Sequence, residues 1–202
     1  MGNGNKAEML IAICAVITSV VALFIGWDQA RLMRSQQRAD VWPILQVTHQ
    51  TEVNSDTVSY AVEIRNAGVG PALIDSSYIH IPGRAGSASF DDLVTYSVPE
   101  TFGSPVLATA SIEGRVIRQG DFLVPISAMW PMTEETAGGL QERVRQFVSG
   151  ELEPAVVFSC FCSIFEECWV SSTLQHQPRP AAVKSCSTLE RDAKDLLAEY
   201  GS

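Results

Sequence analysis

The longest uninterrupted apolar run lies near the start of the chain. Met9 to Trp27, MLIAICAVITSVVALFIGW, holds 19 residues with no charge, and Thr18 and Ser19 are its polar side chains. At about 1.5 Å per residue a helix of this length covers roughly 28 Å, close to a hydrocarbon core of about 30 Å. The run predicts a transmembrane helix over 9–27, preceded by a short tail over 1–8. Trp27 stands at the exit, where an amphipathic ring prefers the membrane interface. A cleaved signal peptide fits poorly. Its apolar region should run about 7–15 residues and end in small residues, whereas this run leads into Trp27-Asp28-Gln29. Lipid attachment also fits poorly: bulky Ile13 precedes Cys14, and Lys6 stands where N-myristoylation needs Ser or Thr.

Beyond the span the pattern changes. Arg31, Arg34 and Arg38 fall on one face of a juxtamembrane helix expected over 28–42. Trp42-Pro43 should end it, because the residue before proline is pushed out of the α region. Period-2 alternation follows. Val58, Tyr60, Val62 and Ile64 alternate with Thr57, Ser59, Ala61 and Glu63, as in a half-buried strand. Asn66-Ala67-Gly68-Val69-Gly70-Pro71 reads as a turn, and Ala72–Ile81 as the next strand. A short helical turn is expected at Asp91–Tyr96, and strands near Val106–Ile112 and Phe122–Ser127. Leu140, Val144, Phe147 and Val148 form the apolar stripe of a helix over Thr133–Val148, capped by Thr133. AVVFSCFCSIF and CWVSSTL predict a hairpin turning near Glu166-Glu167. Gln175–Ser185 should be a loop. A last amphipathic helix is expected over Thr188–Tyr200, with Ser187 and Glu190 at capping-box spacing.

These elements predict a mainly β (α+β) chain. The transmembrane helix is followed by an immunoglobulin-like β-sandwich over 43–174, with one inserted helix, and by a loop and C-terminal helix over 175–202.

Charge narrows the partners. The 202-residue chain carries a formal net charge of -9, and the first 27 residues contribute only Lys6 and Glu8 to it. So acidic a body argues against binding nucleic acid, where Lys and Arg must replace counterions. Around the span, Lys6 and the amino terminus face Arg31, Arg34 and Arg38 across the membrane. The positive-inside rule therefore favours a cytoplasmic C-terminal side.

The span, Trp42-Pro43, Asn66-x-Gly68-x-Gly70-Pro71-Ala72 and the hairpin SIFEECW together resemble a loose group of uncharacterised bacterial membrane proteins. The likeness covers about 43–174. In that group the hairpin turn usually reads Phe-Gly, and here Glu166 occupies the glycine's place. The resemblance implies a sandwich behind a single span in the bacterial inner (plasma) membrane. It attaches no activity.

Candidate chemistry is sparse. Cys160-x-Cys162-x5-Cys168, with Cys186 further on, is the sharpest cluster. Cys160 and Cys162 share a strand face with Val156, Phe158 and Ile164, which favours buried core thiols. A disulfide or redox pair, and a metal site, are the alternatives. His49, His80 and His176 stand apart in sequence. Asp91-Asp92, Glu134-Glu135 and Glu166-Glu167 read as helix starts and solvated tips rather than acid/base pairs. No catalytic residue, cofactor or metal is expected. The expected function is a membrane-anchored, non-catalytic protein-interaction module whose partners are the lipid bilayer and a protein. Alternatives are an accessory subunit of a membrane complex, its span packing through Ala12, Ala15, Ser19 and Ala22, and a thiol or metal sensor.

Overall fold

The computed structural model describes residues 4–174, 177 and 179–200. The chain divides into two compact units after Asp40.

The first unit is one helix, α1 (Gly4–Ala39). From Gly4 on, the expected tail, span and juxtamembrane helix are thus a single element: no residue between Trp27 and Ala39 breaks the helical backbone, and the helix ends at Ala39 rather than Trp42. Its stretch Glu8–Arg38 is long and apolar enough to cross a membrane. The two hydroxyls of the apolar run are satisfied within the helix. Thr18 donates to the Cys14 carbonyl at 2.9 Å, and Ser19 to the Ala15 carbonyl at 2.7 Å. Asp40 and Val41 form a turn before Trp42-Pro43, as the proline requires.

The second unit holds two antiparallel sheets. One has the order β1 (Leu45–Val53), β2 (Thr57–Asn66), β6 (Phe122–Pro131), β4 (Val106–Thr109). The other has the order β5 (Val116–Ile117), β3 (Ala72–His80), β7 (Val156–Cys162), β8 (Cys168–Ser172), β9 (Ala181–Val183). Helices α2 (Phe90–Ser97), α3 (Glu134–Ser149) and α4 (Leu189–Tyr200) complete it, so the protein is mixed α+β.

The alternation of β2 is as its sequence predicts. Val58, Tyr60, Val62 and Ile64 are all buried. They join Val47, Ile74, Ile126, Val157 and Phe161 in a core shared by both sheets. The strand expected over Val106–Ile112 stops at Thr109, and Ile112 enters the core from a loop. The strand from Phe122 runs on to Pro131. β9 arises where a loop was expected, paired with the preceding strand β8, and β5 arises in a stretch that showed no pattern, paired with the distant β3. Ser187 does not form the expected capping box with Glu190: its hydroxyl meets Ser185 at 2.8 Å, and Glu190 pairs with Lys194. Thr133 does cap α3, exchanging bonds with Thr136. The α3 stripe is only half covered, with Leu140 and Phe147 partly buried and Val144 and Val148 exposed.

The Asn66 motif fastens the start of this unit. The Asn66 side chain is fully buried and fully satisfied. Its Oδ1 accepts from Ile44 N at 3.3 Å and Gly68 N at 3.0 Å, and its Nδ2 donates to the Gly70 and Ile117 carbonyls at 2.7 and 2.9 Å. The backbone adds Ala67 N to the Ile44 carbonyl and Val69 N to the Trp42 carbonyl. Two glycines let the chains approach this closely: a Cβ on Gly68 would lie 2.3 Å from Ile44 N, and one on Gly70 would lie 1.9 Å from the Val41 carbonyl oxygen. These glycines are needed for close contact, not for positive φ.

Asn66→Ala leaves buried donors and acceptors unpaired, at about 1–3 kcal/mol each. The expected loss is at least about 3 kcal/mol for Asn66→Ala, and as much for Gly70→Ala. Thermal unfolding of the full chain in detergent, followed by far-ultraviolet circular dichroism, checks both.

Candidate functional site: a four-cysteine cluster

β7 reads VVFSCFC, and both of its faces are covered. Val157 and Phe161 point into the core between the sheets. Val156, Phe158 and Cys160 point the other way, into a second core. That core is closed by the C-terminal segment, which lays Cys186, Leu189, Ala193 and Leu196 against them. The alternation placed Cys160 and Cys162 on one face correctly. The expectation of free core thiols is not met.

The cysteines are bridged in two pairs, Cys160–Cys186 and Cys162–Cys168. The second pair follows from strand register, since Cys162 and Cys168 are partners across the β7–β8 hairpin. The first forms because Cys186 starts the 3-10 turn that leads into α4, which brings its Cα within 5.6 Å of Cys160. Cys160 is fully buried, Cys168 and Cys186 nearly so, and Cys162 is partly exposed. The bridges touch: Cys162 Sγ lies 3.9 Å from Cys186 Sγ. The sulfurs of Cys162, Cys168 and Cys186 all lie within 4.8 Å of one another. Thiolates so placed could hold a soft cation, but a sulfur in a disulfide carries no charge and is a poor ligand.

The turn between these strands explains an oddity of the sequence. Glu166 has φ 61°, and among the described residues it is the non-glycine with positive φ. Glu166 N donates to the Ser163 carbonyl and Ser163 N to the Glu167 carbonyl. This is the three-residue hairpin turn that favours glycine at its last position.

The other singled-out residues do not converge here. Trp27, Arg31 and Arg34 are exposed on α1, and Arg38 lies in its last turn. His176 lies outside the described residues. His49 is not isolated: its Nδ1 is 2.8 Å from the Tyr60 hydroxyl, which donates to Ser97 at 3.3 Å. Burial pushes Tyr60 up to about 12 and lowers His49 below its usual value. A tyrosine held protonated in this way is a poor base, so the chain of hydroxyls reads as a packing contact. Asp91 and Asp92 lie in the first turn of α2, which Ser89 caps while Asp92 accepts from Ser89 N and pairs with Arg84, and Glu134 and Glu135 begin α3.

No protein-family profile, curated protein or solved structure was found to match the chain.

Two sequence signals pointed toward the bridges. Four cysteines lie outside the apolar run, and the x5 spacing of Cys162 and Cys168 suits partners across a hairpin. The pairing with Cys186 had no local signal.

A left-handed residue other than glycine costs about 1–2 kcal/mol, against about 0.5–1 kcal/mol of extra backbone entropy for glycine. Glu166→Gly should therefore raise stability by up to about 1 kcal/mol, or about 2–4 °C in Tm. The same thermal melt checks it, and a lower Tm would refute this account of the turn.

Proposed function

We propose that this chain is a single-pass, membrane-anchored, non-catalytic protein-interaction module of a bacterial plasma membrane. α1 is the anchor. The second unit is the binding domain, read as an immunoglobulin-like sandwich. Support for that reading comes from strand order. With β1, β2, β3, β4, β6, β7 and β8 taken as strands A to G, the sheets run A-B-E-D and C-F-G. β5 and β9 are then additions at the edges of the second sheet.

The observation that carries the binding reading is the edge strand β4. It pairs with β6 alone among the described strands, and all of its residues are exposed. Val106 is 75% exposed and Leu107 46%. Ala110 N donates to the Pro125 carbonyl. Alternation along the strand then turns the N–H groups of Leu107 and Thr109 outward. Leu107 and Trp130 also line a cleft with Val94, Val98 and Pro99, with Asp91 and Glu100 in the same lining. Outward backbone groups beside a largely apolar cleft with two carboxylates suit an added strand from a partner: the backbone supplies affinity and alternate side chains supply specificity.

The accessory-subunit reading draws less support. Thr18 and Ser19 already bond to their own helix, so the span carries no polar group that needs a neighbouring helix.

Two observations bear on which side the domain faces. Arg31, Arg34 and Arg38 favour the cytoplasmic side by a small margin over Lys6 and the amino terminus. The paired disulfides favour an oxidising compartment, since cytosolic thiols are kept reduced. We give the bridges more weight and read the domain as facing outward.

Leu107→Pro removes an outward N–H without removing a ladder bond. It should abolish crosslinking of the full chain to its protein partner in native membranes while Tm changes little. Crosslinking that persists would exclude the β4 edge as the contact. A C-terminal fusion to a reporter enzyme that needs disulfides should be active. An inactive reporter, alongside an active cytoplasmic one, would restore the cytoplasmic placement.

A further inference from the structure

The strand-edge reading leaves the two touching disulfides without a role. We propose that they form a thiol–disulfide exchange site, in which Cys162 passes reducing equivalents from a partner dithiol to the buried Cys160–Cys186 bridge.

Three observations carry this. The first is access. Cys162 is the least buried of the four and lines an open cleft with Leu73, Asp75, Val116 and Glu166. A partner thiol can enter there, whereas Cys160 is fully buried and Cys186 nearly so. The second is contact. Cys162 Sγ and Cys186 Sγ belong to different bridges and lie 3.9 Å apart. The third is consequence. Cys186 leads directly into α4, so the bridge it makes decides how α4 is tied to β7.

A thiolate of the partner dithiol attacks Cys162 Sγ. The partner–Cys162 bond forms, the Cys162–Cys168 bond breaks, and Cys168 leaves as a thiolate that takes up a proton. The partner's second thiolate attacks its own bonded sulfur and closes the partner's disulfide, and Cys162 leaves as a thiolate. The partner has lost two electrons and the Cys162–Cys168 pair has gained them. The Cys162 thiolate then attacks Cys186 Sγ. The Cys162–Cys186 bond forms, the Cys160–Cys186 bond breaks, and Cys160 leaves and is protonated. This last step moves no net electrons. It shifts the tie of α4 two residues along β7 and brings the remaining bridge within reach of the cleft. A second dithiol can reduce it there and release α4 from β7.

The test uses the full chain in detergent with Cys14→Ser, so that the thiols read are those of the cluster. Limiting dithiothreitol is the dithiol. Samples are quenched in acid and alkylated, and fragment ions resolve Cys160 from Cys162 across Phe161. The expected first product has Cys168 and Cys160 alkylated together and Cys162 joined to Cys186. A first product with Cys162 and Cys168 alkylated and Cys160–Cys186 intact would overturn the proposal. A variant gives a second reading. In Cys162→Ser/Cys168→Ser the inner bridge should be reduced at least about tenfold more slowly than in the parent, and an equal rate would overturn the relay.

Discussion

A strand buried on both faces must be covered on both, and β7 is such a strand in all but its last residue, Cys162. One face of VVFSCFC closes the core between the two sheets. The other must be covered by something else, and the C-terminal segment supplies it with Cys186, Leu189, Ala193 and Leu196. Burying large apolar side chains is worth about 1.5–3 kcal/mol each, and Val156, Phe158 and Tyr78 depend on that cover. The cysteine cluster lies inside this second interface. Its position thus follows from the need to cover β7 rather than from any local motif.

The other fixed point is the first few residues of the second unit. Val41 to Ile44 show no helix or strand pattern, although Pro43 is buried and the Trp42 ring meets Trp169 at 6.4 Å. They are also held by the Asn66 side chain, by backbone bonds from the following turn, and by two glycines that leave room for the approach. Because Asn66 also reaches the Ile117 carbonyl, one buried amide ties the entry segment, the end of β2 and the short strand β5. A buried amide with every group partnered fixes geometry, since any displacement leaves unsatisfied groups in the interior.

What the sequence disclosed follows from the range of the forces involved. The apolar span and the alternation of β2 depend on neighbours in the chain, and both were legible. So was α3, whose cap is local: Thr133 and Thr136 are three residues apart. β5 and β9 have 2 and 3 residues, too few to show a pattern of their own, and they exist because β3 and β8 offer bonds. The turn at Asn66 was legible, but its glycines serve steric approach by Val41 to Ile44, which the turn residues alone do not reveal. The two cysteines of β7 were placed on the correct face and read as free thiols, because period-2 logic reports burial and is silent on what arrives from the far end of the chain. Glu166 marks the opposite case. The turn type was in the sequence, the residue contradicts it, and the backbone takes the turn conformation regardless.

The two bridges differ in what they can contribute to stability. In the chain-entropy view, closing a loop with a separation of 26 residues is worth about 3.5 kcal/mol, and one with a separation of 6 about 2 kcal/mol. The longer one ties α4 to β7 across a span that no hairpin closes. The shorter one constrains the unfolded chain over a loop that is short to begin with, and in the folded hairpin the Ser163–Glu167 and Ser163–Glu166 backbone bonds close the same turn. Set against the first bridge, with one sulfur at the rim of a cleft, it supplies what the buried pair lacks, which is access from outside.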